Sequence, residues 1–559
     1  MSGSEIVQKI LEIRGVPAAD RDSFLHPSLS GLADPAELDG IAGAADAVLE
    51  AVAAGKRIVV FGDYDCDGIS ATAILVRTLR ALGADVGAFL PDRLKEGYGM
   101  SDASVARMLS ENPGVGLVVT VDNGVGSIAQ VAALKSKGVS VVVTDHHLPT
   151  VDSNGNVELP DADALVNPKV ASPEGLSDLC GAGVAFLLAN RIISEARSKG
   201  LYRGPNVGGP MLVLSGLATV TDIMPLLGQN RIIVAEALKR FSVYAPVGLK
   251  ELHGRAARTG ADCLTARDFG FMMGPRINAA GRMSSGMEAL ELLLSDDREI
   301  SRSLARIVDM YNTDRKQVEH RMTEEALSKV VEGAEAQVIE LPDGHPGVVG
   351  IVAARVLEKI GGTTPVCVIA AGHGSARSPE GINLRDAFAA CSEALETFGG
   401  HAVAGGFVVK PGAVDEFRRL LCRYCREAAD SSGRKIRPDA EPELWLEEGD
   451  LTLELAEAVS MLEPFGEGNG DPVFGLRGVF FSEVRTMGID GRHLSLVLKA
   501  GGIRAILWNR GDLAEEFRSK SHCPCDLFFT VTISDYGVRH VELRLVGYRH
   551  ENQVDPAVG

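Results

Sequence analysis

The chain is predicted to be an α/β protein: a parallel-sheet domain joined by a long helix to a second α/β domain, followed by a small β barrel. Three observations predict this. Residues 56–149 alternate apolar strand-like runs with helix-like ones, as right-handed crossovers in a parallel sheet do. Residues 296–332 carry an amphipathic pattern (Ile300, Leu304, Ile307, Met310, Tyr311, Val318, Met322, Leu327) without Gly or Pro, which reads as one connecting helix. Residues 473–546 alternate apolar and polar residues in short segments, the pattern of a small barrel.

Taken in order, residues 1–55 read as a leader of small helices, the most regular at 44–54, with no chemistry of its own. Residues 56–295 hold strands at 57–61, 85–89, 116–121 and 139–144, with helices at 69–82, 101–110 and 127–137 between them. The stretches 176–196 and 211–237 look largely helical. After the connecting helix (296–333), residues 334–430 form a second α/β unit with a strand at 363–370 and a dense glycine loop around His401. Residues 430–442, polar with two prolines, read as a linker. The barrel spans 443–550, and the oligonucleotide/oligosaccharide-binding fold is its first choice.

Composition narrows the function. The chain has 559 residues, 45% of them hydrophobic and 23% charged, which is ordinary for globular domains. A net charge of -19 argues against non-specific nucleic-acid binding over the whole surface but leaves room for a local basic groove. No apolar run of about 18 residues is free of charge, and the first residues lack a signal-peptide pattern, so a cytoplasmic protein without a membrane contact is expected. Nine cysteines, several alone in apolar segments (Cys180, Cys367, Cys391), read as reduced core thiols. Cys422, Cys425, Cys523 and Cys525 are too dispersed for a structural zinc site.

The chemistry concentrates where strands end. Asp63, Asp65 and Asp67 follow the first strand, Asp122-Asn123-Gly124 follows the third, and Asp145-His146-His147 follows the fourth. Parallel strands place these groups on one edge, where open α/β sheets bind ligands. So many carboxylates repel one another unless cations occupy the site. A calcium loop starting at Asp63 needs Glu at its twelfth position, which is Ile74. Carboxylates with one or two imidazoles suit Mn²⁺ or Mg²⁺, and the number of acids suits two ions about 3.5–4 Å apart, the geometry for in-line attack on phosphorus. His147 is placed to hydrogen-bond a phosphate or protonate a leaving oxygen. Asp222, after another apolar approach, reads equally as a local cap or as one more acid of the site.

These residues carry a resemblance. Gly62-Asp63-Tyr64-Asp65-Cys66-Asp67-Gly68, Val121-Asp122-Asn123-Gly124, Thr144-Asp145-His146-His147 and Thr221-Asp222 resemble the four motifs of the DHH phosphoesterase superfamily. The run from Asp268 to Arg282, His345-Pro346-Gly347-Val348-Val349-Gly350, Gly374-Ser375-Ala376-Arg377-Ser378, the Gly-Gly-His-Ala loop at His401 and Pro464-Phe465-Gly466 extend the likeness to the RecJ family, with its DHH, DHHA1 and oligonucleotide-binding domains. The resemblance covers about residues 15–550.

It implies a single-strand-specific exonuclease acting 5′ to 3′ on DNA by two-metal hydrolysis, releasing 5′-mononucleotides in recombination and repair. It makes Asp63, Asp65, Asp67, Asp122, His146 and Asp222 ligands of two Mn²⁺ or Mg²⁺ ions. Asp145 would support the site from behind and His147 would face the phosphate. Arg93, Ser375 and Arg377 would hold the 5′-terminal phosphate, while Arg276, Asn278, Arg282 and His401 would sit near the scissile or neighbouring phosphates. A groove between the DHH and DHHA1 domains would admit one strand, with the barrel gripping it ahead of the cut. Implied partners are single-stranded DNA, a helicase and the single-strand-binding protein; a monomer is the default.

Cys66 stands where relatives commonly have Ala or Val, with its side chain expected to point away from the metals. The chain ends soon after the barrel, so partner contacts carried by the further C-terminal domain of some longer relatives are not expected here. Two rival readings share parts of the pattern. A phosphodiesterase for short oligonucleotides or cyclic dinucleotides usually lacks the barrel, and an inactive scaffold would have lost metal-site acids that all stand here.

Overall fold

The structure, a computed structural model, describes residues 1–550 apart from 98, 153–154, 174, 257–263, 380, 432–440, 489 and 535–537. Most of the 430–442 stretch read as a linker therefore lies outside the described residues. The chain forms two compact units: Ala33–Met224 with the described residues from 237 to 431, and Met1–Leu32 with Pro225–Glu236 and the described residues from 441 on.

The larger unit begins with a five-stranded sheet, all parallel, in the order Val86–Phe89, Arg57–Phe61, Val115–Thr120, Ser140–Thr144, Ala164–Val166. Val59, Val60, Phe61, Val118, Val119 and Val141–Val143 are fully buried, because a parallel sheet is covered on both faces. In sheet sequence this order is 2-1-3-4-5, so the direction of winding reverses between Arg57–Phe61 and Val115–Thr120. That reversal opens a crevice at the carboxyl ends of these two strands. Helices Cys66–Ala81, Gly181–Ser198 and Gly208–Thr221, each buried along most of its length, pack together beside the sheet. The stretch read as helical at 211–237 is two helices, broken after Asp222, where Ile223 turns to φ 58°.

The connecting helix runs Arg298–Ser328, capped by the Asp297 carboxylate. It leads to a second sheet, ordered Leu395–Gly400, Ala404–Val409, His373–Arg377, Val366–Ala370, Gln337–Glu340. Only its last pair of strands is parallel. One face buries Phe388, Phe407 and Phe417, the other Val349, Val352 and Val356.

The smaller unit is organised by a seven-stranded sheet with Leu444–Trp445 at one edge and Phe481–Met487 at the other. Among the described residues no pairing joins these edges, so the expected barrel closure is not seen in the strand pairing. The N-terminal leader also divides. Helix Gly3–Ile13 buries Ile6, Val7, Ile10 and Leu11 with Leu455, Val459 and Leu462 of this unit, whereas Ile41–Ala53 belongs to the parallel-sheet unit. The i, i+1, i+4, i+5 stripe of the first helix needs an apolar partner, and the C-terminal sheet provides it. Among the described residues no helix is long and apolar enough to cross a membrane.

Candidate metal centre

The acids stand where strand geometry sends them. Strand Arg57–Phe61 runs straight into Gly62-Asp63, and the chain then turns into a helix that Asp65 caps, its Oδ1 accepting from the amides of Asp67 and Gly68, both at 3.0 Å. Gly68 is required: a β-carbon there would lie 2.6 Å from the Asp63 amide nitrogen and carbonyl oxygen. Cys66 is the first residue of this helix rather than part of a strand, and burial pushes its thiol up to about 12.

Asp67 is held from the other side. The amides of Gly181 and Ala182, at the start of helix Gly181–Ser198, donate to its Oδ2 and Oδ1, each at 2.7 Å. A carboxylate bound to a helix N-terminus keeps a fixed orientation and is favoured by the helix dipole. Asp122 follows Val115–Thr120 at φ 60°, a left-handed conformation that costs a non-glycine residue energy and recurs at functional sites. Ile223, directly after Asp222, shares it at φ 58°.

Around these acids His146 Nε2 lies 3.0 Å from Asp122 Oδ1 and 3.6 Å from both Asp67 Oδ2 and Asp222 Oδ2. Three sets of donor atoms, each within 4.8 Å of one another, could hold a metal ion: Asp63, Asp65 and Asp122; Asp67, His146 and Asp222; Asp122, His146 and His147. All six residues named as ligands from the sequence are therefore brought together, with Asp122 shared between sets. The electrostatics fit cations. Burial first, then the charges of neighbouring aspartates, raise Asp63 and Asp122 well above the usual carboxylate range and push Asp222 up to about 9. Among the described residues, Asp63 Oδ1 and Asp222 Oδ2 are buried without a hydrogen-bond partner. Buried acids crowded in this way, with such oxygens left without a donor, are costly, and hard divalent ions relieve that cost.

Asp145 plays a different part. Its Oδ1 accepts from the amides of His146 (2.7 Å) and His147 (3.1 Å) and faces His147 Nδ1 at 2.8 Å, while its Oδ2 accepts from the Val125 amide at 2.9 Å. Burial alone would raise it, yet the bond to His147 holds its carboxyl below the ordinary value. His147 in turn is raised, because this hydrogen bond and the Asp145 charge outweigh its burial. His146 is lowered by burial.

The phosphate-side residues divide into two groups. A cavity of about 370 Å³ is lined by Tyr64, Arg93, Pro346, Gly374, Ser375, Phe398, Gly399 and Gly406 among others, so it borders the metal loop directly. Arg93 lies over the Tyr64 ring at 5.0 Å, and Arg377 Nη1 donates to Ser375 Oγ at 3.2 Å. Arg377 stands behind Ser375 rather than in the cavity wall, and the remaining four do not line this cavity either. Asn278 Oδ1 accepts from the Cys66 amide at 2.7 Å and so braces the metal loop. Arg282 donates to the Gly347 carbonyl at 3.2 Å. Arg276 is engaged by Asp309 (2.8 Å) and the Met272 carbonyl (2.7 Å), and His401 is exposed at the turn between two strands.

Sequence reasoning missed the Gly181 and Ala182 amides, and also Asn167, whose Nδ2 donates to the His147 carbonyl at 2.9 Å. The one available signal was Gly181-Ala182-Gly183 opening an apolar helix.

A parallel sheet with buried acids converging at its winding reversal, a histidine among them and a cavity lined by an arginine and a serine beside them defines a metal-dependent phosphoesterase. The chain matches the DHH family, N-terminal domain, over residues 57–205, the DHHA1 domain over 333–427 and the RecJ OB domain over 443–546. It is 37% identical over 496 residues to the single-stranded-DNA-specific exonuclease RecJ of Thermus thermophilus, covering 88% of this chain and 69% of that protein. To the exonuclease of the same name from Bacillus subtilis it is 32% identical over 527 residues, covering 91% of this chain and 64% of that protein. The chain thus spans slightly less than two thirds of the B. subtilis relative's length. The crystal structure of T. thermophilus RecJ in complex with Mn²⁺ superposes with a TM-score of 0.81 at 33% identity, covering 97% of this chain and 75% of that one, and the same protein has been solved with Mg²⁺. The chain belongs to the RecJ family of single-stranded-DNA-specific exonucleases.

Proposed function

We propose that this protein is a 5′ to 3′ exonuclease on single-stranded DNA, hydrolysing phosphodiester bonds with two Mn²⁺ or Mg²⁺ ions and releasing 5′-mononucleotides in recombination and repair. The observation that carries this reading is the cavity lined by Tyr64, Arg93 and Ser375, which abuts the acid cluster through Tyr64. A terminal phosphate seated there leaves the first phosphodiester within reach of the metal-binding acids, which favours removal of one nucleotide at a time from a 5′ end.

In this reading Asp63, Asp65, Asp67, Asp122, His146 and Asp222 hold the ions, which when bound supply a water acidic enough to attack at neutral pH and neutralise phosphoryl charge. Asp145 fixes the His147 ring through Nδ1, which turns Nε2 toward the substrate to hydrogen-bond the phosphate or protonate the leaving oxygen. Arg93, Ser375 and Arg377 bind the 5′-terminal phosphate through guanidinium forks and a hydroxyl, contacts that carry no base preference. Arg276, Asn278, Arg282 and His401 serve neighbouring phosphates, Asn278 also through its hold on the metal loop. The oligonucleotide-binding unit adds affinity for single strands by stacking and backbone contact. A cytoplasmic monomer, supplied with single strands by a helicase and the single-strand-binding protein, completes the proposal.

The test is a digestion time course with Mn²⁺ on long single strands labelled at the 5′ or the 3′ end, the matching blunt duplex and a dinucleotide, with Asp122→Ala in parallel. Early release of 5′-labelled mononucleotide from the single strand, lost in the variant and absent for duplex, is expected. Cleavage of the dinucleotide alone would move the protein to the short-oligonucleotide phosphodiesterases.

A further inference from the structure

Arg93 stands on an irregular segment between strand Val86–Phe89 and helix Asp102–Glu111, yet it must present its guanidinium to one point in the cavity. Like charge works against it. Arg282 and Arg377 lose basicity through burial first and then through Arg93, so the three guanidinium groups share one neighbourhood. Without a mechanical constraint this segment would relax away from the other two.

The constraint is visible in Glu96 and Arg107. Arg107 donates to Glu96 through Nε (2.7 Å) and Nη2 (2.9 Å), a two-pronged pair with the Glu96 side chain 8% exposed. Its Nη2 also reaches the Leu90 carbonyl at 2.8 Å, and its planar face lies 4.1 Å from the centre of the Phe89 ring. Glu96 Oε2, the oxygen that takes the Nη2 bond, also accepts from the Asp92 amide at 2.7 Å. One guanidinium therefore ties the start of the segment, at Leu90, to its end, at Glu96. Within the closed segment the Asp92 carboxylate accepts from the Leu94 and Lys95 amides at 3.0 and 3.3 Å, and Arg93 is the residue this turn projects. A bidentate, partly buried pair of this kind has a fixed geometry, unlike most surface ion pairs.

We propose that Arg107 and Glu96 are positioning residues that hold Arg93 against its neighbouring arginines and so set the preference for a 5′-terminal phosphate. The inference rests on the exonuclease reading above and deepens it, since neither residue touches the substrate or the metal-binding acids.

The experiment compares single strands carrying a 5′-phosphate or a 5′-hydroxyl, with Mn²⁺, for the wild type, Arg107→Gln, Arg107→Lys, Glu96→Gln, Arg93→Ala and the double variant Arg93→Ala/Arg107→Gln. The readout is the ratio of kcat/KM on the two strands. Arg107→Gln and Glu96→Gln should lower the ratio about tenfold, the scale of one charged hydrogen bond to phosphate, while the rate on the 5′-hydroxyl strand stays within about twofold. Arg107→Lys keeps the charge without the fork and should not restore the ratio. The double variant should fall no further than Arg93→Ala alone. An unchanged ratio in Arg107→Gln beside a collapsed one in Arg93→Ala overturns the proposal, as does an equal fall on both strands. A second arm needs no turnover: amide hydrogen exchange across residues 91–97 should accelerate in Glu96→Gln, and wild-type rates there overturn the strut. Wild-type protein that digests neither strand refutes the exonuclease reading instead, with the exchange arm still deciding the strut.

Discussion

Gly181 stands so close to Asp122 that a β-carbon added to it would lie 2.6 Å from the β-carbon of the aspartate. The same glycine's amide holds Asp67 at 2.7 Å, so one backbone position meets two of the metal-binding acids. Gly181→Ala must therefore displace Asp122 or pull the amide away from Asp67. Misplacement of about 1 Å at a reacting centre costs roughly a hundredfold. Hydrolysis of bis-p-nitrophenyl phosphate with Mn²⁺ should fall by about that factor while the thermal midpoint of the metal-free protein moves little. Full activity would show that Asp122 does not need its observed position.

Asn278 and Cys66 are joined by a hydrogen bond of 2.7 Å across more than two hundred residues of sequence. Asn278→Ala leaves a part-buried amide without an acceptor, which costs about 1–3 kcal/mol. Urea unfolding of the metal-free protein should show that loss, and Mn²⁺ affinity should drop with it because Cys66 lies between Asp65 and Asp67. Asn278→Asp, which keeps an acceptor, should recover most of the stability.

The acid cluster also dictates how stability depends on pH. In the metal-free fold Asp222 is pushed up to about 9, and Asp63, Asp67 and Asp122 are raised too, by burial first. In the unfolded chain these groups ionise near pH 4, about their ordinary value. The folded state therefore binds more protons between these limits, and its stability is lost as pH rises through the raised values. The thermal midpoint of the metal-free protein should fall from about pH 6 to about pH 9, whereas the Mn²⁺-loaded protein should change far less. Mn²⁺ binding should also release protons, seen as a buffer-dependent calorimetric enthalpy. A metal-free midpoint that climbs over this range would contradict the account.

Arg231 ties the smaller unit together. It donates to the carbonyls of Phe24 (2.8 Å), Leu462 (3.0 Å) and Glu463 (2.7 Å) and covers the Phe24 ring at 3.9 Å. Arg231→Met removes all three donors at once, at an expected cost of about 3 kcal/mol or more. Both tryptophans of the chain, Trp445 and Trp508, lie in this unit, so tryptophan fluorescence reports its unfolding selectively. An unchanged midpoint would show that the contacts are not needed.

The sheet that carries the metal acids was legible because its signal is local: β-branched runs mark the strands, and the acids follow them directly. Arg57–Phe61 was read to the residue, and its neighbours to within about one position. What could not be read were partners. The stripe Ile6, Val7, Ile10, Leu11 announces a buried helix face but not that residues some 450 positions away cover it. Asn278 was assigned by resemblance to the neighbouring phosphates, and only the fold sets it against Cys66. Arg276 was assigned to phosphate by its motif, which does not announce that Asp309 of the connecting helix also accepts from it. The five-residue π-helix Phe269–Met273 just ahead of it has no periodicity a sequence can reveal.

The claim on which everything else depends is that five aspartates and His146 together hold two metal ions. Titration of the metal-free protein with Mn²⁺, followed by calorimetry and by electron paramagnetic resonance, tests it directly. Two ions per chain with an exchange-coupled spectrum, as expected for ions about 3.5–4 Å apart, is the predicted result, with Asp122→Asn disturbing both because Asp122 is shared. A single uncoupled ion per chain, unaffected by Asp122→Asn, would contradict it.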